Sequence, residues 1–167
     1  MATTYTLISS VTVGSGGAAS MSFTSIPATY TDLVVLWSAR TSSSQTSTNT
    51  EISFNGSTSN ISGRYLEGSG SGAGSGSYAR FVGTDNAATS TGSIFSNNMV
   101  YISNYAGSNY KPFSADSGQE NTTSQAQITL NGGLWSQGTV ITSVTLTPAT
   151  SSYVQYSTAY LYGISNA

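Results

Sequence analysis

The chain has 167 residues, of which only 6% are charged; its formal net charge is −2, and it contains no Cys and no His. Soluble globular proteins average about 25% charged residues, so polarity here rests on Ser, Thr, Asn, Gln and Gly, while 11 Tyr, 5 Phe and 2 Trp supply bulk for a core. These features exclude thiol chemistry, histidine-based catalysis and, with four scattered basic residues (Arg40, Arg64, Arg80 and Lys111), a cationic patch for nucleic acid.

Aromatic and β-branched residues are too abundant for disorder, and residues 1–167 fit one domain able to bury a core without disulfides or metals. Short apolar runs separated by turn residues predict an all-β fold: an antiparallel, jelly-roll-like β-sandwich of about eight to ten strands. Weak charge also favours association between copies. The amino-terminal residues lack the basic and apolar regions of a secretory leader, and no apolar run reaches bilayer-spanning length, so neither leader-directed export nor membrane insertion is expected.

The first expected strand covers residues 5–13, with Tyr5, Leu7, Val11 and Val13 on one face. A second, residues 19–23, alternates Met21 and Phe23. Pro27 and Asp32 mark a turn, which leads into the continuous apolar run 33–39, the best core candidate, a strand buried on both faces or central in its sheet. The Ser/Thr tract 41–50 reads as a surface loop. Residues 51–54 read as a strand ending in the hairpin turn Asn55-Gly56, with 64–66 as its partner. The Gly/Ser run 68–77 reads as a loop, and the sheet resumes at 78–82. Residues 94–95 and 99–102 offer strand material before a loop at 104–113. The segment 116–124 reads as a polar turn. Three further strand-like runs, 128–135, 140–147 and 157–164, carry Asn-Gly and Gly breaks.

Chemistry is sparse. Six acidic residues (Asp32, Glu51, Glu67, Asp85, Asp116 and Glu120) could supply a glycosidase pair only if two faced each other across a sugar. The densest acidic segment, Asp116 to Glu120, lacks the alternating oxygen ligands of a calcium loop and reads as a solvated turn with Gly118 at a tight position. Gly14-Ser-Gly-Gly-Ala-Ala19 matches a dinucleotide-binding pattern in letters, but a strand follows where a helix is required. Three Asn-x-Ser/Thr matches carry no weight in a chain this rich in Ser and Thr. No catalytic residue, metal or cofactor is expected. Rings set among amides can stack on saccharides, and Tyr101, Asn104, Tyr105, Asn109 and Tyr110 form such a set. Closure of the sandwich rim or contact between subunits, where Tyr is also enriched, is the stronger reading for them, and Tyr160 and Tyr162 read as core and assembly contacts.

Several short motifs then invite comparison: Tyr5-Thr-Leu-Ile, Ile26-Pro-Ala-Thr-Tyr-Thr-Asp-Leu33, Asn104-Tyr-Ala with Lys111, Gly133-Leu-Trp135, and Ser157-Thr-Ala-Tyr-Leu-Tyr-Gly-Ile164. In this order, over nearly the whole chain, they resemble small virion structural proteins of tailed bacteriophages, cyanophages among them. The resemblance implies a β-sandwich on the virion exterior, either cementing the capsid or forming part of a tail fibre. With no coiled-coil heptads and no segment outside the sandwich, a non-enzymatic capsid decoration protein is expected. Its partners would be the major capsid protein or other virion proteins, and it would be present as a homo-oligomer or in many copies. The rival reading is a tail-fibre tip recognising host surface polysaccharide through loops 41–50, 68–77 and 101–113. An enzyme acting on glycans through two carboxylates ranks third.

Overall fold

The computed structural model describes residues 4–121 and 126–165. Among them are twelve strands: β1 (Tyr5–Thr12), β2 (Met21–Phe23), β3 (Asp32–Ser38), β4 (Ser47–Phe54), β5 (Ile61–Gly68), β6 (Ala73–Gly76), β7 (Phe81–Asn86), β8 (Asn97–Ile102), β9 (Lys111–Gln119), β10 (Gln127–Trp135), β11 (Val144–Pro148) and β12 (Thr158–Ile164). They form an antiparallel sandwich of two unequal sheets, an eight-stranded one ordered β1-β12-β3-β8-β9-β10-β5-β6 and a four-stranded one ordered β2-β11-β4-β7. The expected two-layer architecture is present, with more strands than expected and with a distribution of eight and four.

The core lies between the sheets. The small sheet contributes Met21, Phe23, Ile52, Phe54, Val144 and Leu146, and the large sheet Leu33, Val35, Trp37, Val100, Ile102, Phe113, Trp135 and Leu161, all buried. Strict alternation along β4 and β9 places one residue in two against this core. The apolar run 33–39 is central in its sheet, between β12 and β8: Leu33, Val35 and Trp37 face the core, and on the opposite side Val34 is buried between Tyr101 and Tyr162 in register while Leu36 is exposed.

Several expectations are corrected. Tyr5 and Leu7 do not share a face with Val11 and Val13. The register slips between Leu7 and Ser9, and such a bulge exchanges the two faces of a strand, leaving Tyr5 and Leu7 outside while Val11 packs on the core. The tract 41–50 is not a surface loop: Thr41, Ser43, Thr48 and Thr50 are buried, and β4 begins at Ser47. Asn55 and Gly56 do form a two-residue turn at positive φ (53° and 72°), closed by Ser57 N–H to Phe54 O at 2.8 Å. The chain then crosses to the other sheet, so residues 64–66 pair with β6 and β10 rather than with β4.

The 68–77 run holds the edge strand β6, built from Ala73, Gly74, Ser75 and Gly76 and held by backbone pairing to β5. Asp116 to Gln119 belong to β9 and not to a turn; residues 122–124 of that expectation lie outside the described residues. Asn131-Gly132-Gly133 does not break β10 but runs through it in continuous register. Residues 140–143 stay irregular. The Asn55 carboxamide accepts from Thr142 N–H (2.8 Å) and Ser143 N–H (3.1 Å) and donates to Val140 O (2.8 Å), taking backbone groups that a ladder would need.

Candidate assembly face

The two solvent faces of the sandwich differ in chemistry. On the small sheet, register sets Ser22 beside Thr145 and Thr145 beside Ser53, with Glu51 opposite Thr147, and the Ser22 and Thr145 hydroxyls meet at 3.0 Å. On the large sheet the corresponding positions mix polar residues with most of the exposed apolar side chains of the molecule. Of ten large apolar side chains exposed among the described residues, Tyr5, Leu7, Leu36, Leu66, Met99, Ile128, Leu130 and Tyr160 lie on this one face, and only Tyr110 and Tyr156 lie elsewhere. One row of directly paired positions crosses all eight strands: Ser10, Tyr160, Leu36, Met99, Asp116, Leu130, Leu66 and Ser75.

Why these residues point outward is clearest in β10. Trp135 is 2% exposed and stacks on Phe54 at 5.3 Å, and Gly133 lies under the Phe113 ring. Those two anchors fix the parity of the strand. They turn Thr129 and Asn131 inward, towards β7, and send Ile128 and Leu130 out at 67% and 60% exposure. Complete burial of such a side chain contributes about 1.5–3 kcal/mol, so each leaves about 1–2 kcal/mol unused. Isolated exposed leucines are ordinary, whereas a contiguous exposed apolar patch marks a contact surface. Between β5 and β10 the face dips into a hollow of about 480 Å³ lined by Arg64, Leu66, Leu130 and Gly132 among others.

Most of the few charges are occupied elsewhere. The Arg40 guanidinium donates to Ser90 Oγ and to the carbonyls of Ala88, Ser90, Thr91 and Ile94, pinning that loop. Arg80 pairs with Glu51, which also accepts the Tyr78 hydroxyl; that hydrogen bond, with burial, raises the phenol's pKa. Asp85 is wholly buried and accepts from Trp37 Nε1, Ser96 Oγ and Asn98 Nδ2 through one oxygen and from Thr50 through the other. Loss of solvent raises its pKa against the opposing effect of these four donors. Three charged side chains on the outer face remain outside any ion pair among the described residues: Arg64, Asp116 and Asp32, the last held by the Tyr101 hydroxyl and the Asn104 N–H at the end of β3.

The sequence-derived candidates divide into three groups. Tyr105 is not a contact residue at all: it is fully buried, its hydroxyl donates to Pro27 O and accepts from Tyr30 N–H, and its carbonyl accepts from Ile141 N–H. Tyr101 and Asn104 are tethered to Asp32, which accepts the Tyr101 hydroxyl and the Asn104 N–H (2.7 Å). The bond to that carboxylate, with burial second, pushes the Tyr101 phenol up to about 12. Asn109 and Tyr110 are exposed beside them. Lys111 is buried beneath, donating through Nζ to the carbonyls of Gly107 (2.6 Å), Asn109 and Gln137 (3.5 Å). Tyr160 and Tyr162 lie on the outer face of the large sheet, Tyr162 in one row with Val34 and Tyr101; Tyr162 meets Tyr5 edge-on at 6.5 Å.

Sequence reasoning missed Leu36, Leu66, Met99, Ile128 and Leu130 as contact candidates. The available signal was that β3 and β10 carry large apolar residues at both odd and even positions, more than one buried face can use. Asp116 lies mid-strand on the outer face and Glu120 just past the end of β9; no group of three or more His, Cys, Asp or Glu able to hold a metal occurs among the described residues. No family model, curated protein or solved structure matches this chain.

Proposed function

We propose that the protein is a non-enzymatic bacteriophage virion structural protein, a capsid decoration protein that binds and stabilises the outer shell. The observation that carries the reading is the apolar outer face of the eight-stranded sheet, set against the hydroxyl-rich face of the small sheet. A rigid sandwich with one adhesive side acts by surface matching, and a shell bound to the folded protein is stabilised by mass action. The resemblance in sequence to tailed-phage virion proteins supports the virion as the place of action.

A second reading, a tail-fibre tip that recognises host polysaccharide, is favoured by one feature. The exposed pair Asn109 and Tyr110 presents an amide and a ring on a loop whose base is fastened by Lys111. Immunogold labelling or cryo-electron microscopy of intact virions tests both. Density over the capsid supports the decoration role; label confined to the tail overturns it, and purified protein that then blocks adsorption would establish the fibre reading.

A further inference from the structure

We propose that the outer face of the eight-stranded sheet is the interface of a two-fold symmetric dimer, its occupant being the same face of a second copy of this chain. The inference deepens the assembly reading above by naming the first partner of that face.

The argument starts from charge. Arg64 and Asp116 are the two charges on the face with no hydrogen bond to another residue's side chain, and they flank β10 on opposite sides: Arg64 is in register with Gly132, and Asp116 with Leu130. Two strand spacings across and two residues along separate them by about 12 Å, too far to pair within one copy. A two-fold axis lying in the interface and crossing β10 between Leu130 and Gly132 exchanges the two positions. Arg64 of each copy then meets Asp116 of the other, as a self-complementary contact requires.

Shape follows the same axis. The operation that pairs the charges carries Leu130 of one copy into the hollow bounded by Arg64, Leu66 and Gly132 of the other. Gly132 has nothing within 4 Å of where its Cβ would stand, so the notch is open. The axis through β10 crosses the two sheets steeply, so they overlap over about 20 Å in each direction, about 400 Å² per copy and about 800 Å² in total, the size of a weak, concentration-dependent contact.

Sedimentation equilibrium of the full chain at micromolar concentration tests this. The native protein is expected to dimerise. Arg64→Asp and Asp116→Arg, each at an exposed position and therefore expected to keep the native circular dichroism and melting, should each weaken the dimer by at least about tenfold through like-charge contacts. The double exchange R64D/D116R should restore it. A monomeric native protein, single variants that dimerise normally, or a double variant that stays monomeric would each overturn the proposal. A monomer that still labels the capsid would defeat the dimer and leave the decoration role standing, with the shell as the occupant of the face. A dimer without capsid label would do the reverse.

Discussion

Asp85 shows how the interior handles polarity without ion pairs. Its carboxyl has no cation beside it, and four neutral donors stand in for water. Burial raises its folded pKa above the ordinary carboxylate value, so across the interval between the unfolded and folded values the native state holds a proton that the unfolded chain has released. Stability then falls as pH rises through that interval and is greatest, for this group, below it. Asp85→Asn should remove the slope. The carboxamide oxygen can keep the three donors, and its NH₂ can donate to Thr50, whose hydroxyl turns to donate to Tyr153, 3.1 Å away. Urea unfolding from about pH 4 upward checks this: the native protein should lose stability with rising pH relative to the variant, and parallel curves would count against it.

At the scale of single elements, neighbouring glycines in β10 have opposite constraints. A Cβ on Gly133 would stand 2.1 Å from the Phe113 ring, whereas one on Gly132 would meet nothing within 4 Å. Gly133→Ala should therefore destabilise by about 3 kcal/mol or more, the upper range for overpacking a core. Gly132→Ala should stay within about 0.5 kcal/mol when unfolding is followed in dilute protein. Adding Phe113→Leu to the first variant should recover part of the loss; equal midpoints for the two alanine variants would refute this account of the strand.

The same strand explains what the sequence could disclose. Strands β3, β8 and β12 were legible because their apolar runs are dense, and the Asn55-Gly56 turn because its chemistry is local. β6 was not, since a Gly/Ser edge strand has no alternation and exists through pairing with β5. The burial of Tyr105 depends on Pro27, Tyr30 and Ile141, all distant in sequence. The parity of β10 depends on Phe54 and Phe113 in other strands. Composition foretold a sandwich, but which of its faces carries the exposed apolar side chains was set by those distant anchors.

For the whole molecule, the proposed dimer would make concentration a thermodynamic variable. If the large-sheet face is buried in a dimer, unfolding releases two chains, and a tenfold rise in protein concentration adds about 1.4 kcal/mol per dimer to the linked stability. Unfolding entropy near 60 °C is about 2.1 cal/mol/K per residue, which for two chains of 167 residues comes to about 0.7 kcal/mol/K. The melting temperature should therefore climb by about 2 °C per decade of concentration. Leu130→Lys places an uncompensated ammonium at the centre of the face in each copy and should abolish the dependence while leaving a folded monomer, because the side chain is already 60% exposed. Calorimetry over two decades of concentration reads both effects. A native melting temperature that does not move would mean that the apolar face remains in water up to the melt, and the dimer would have to be abandoned.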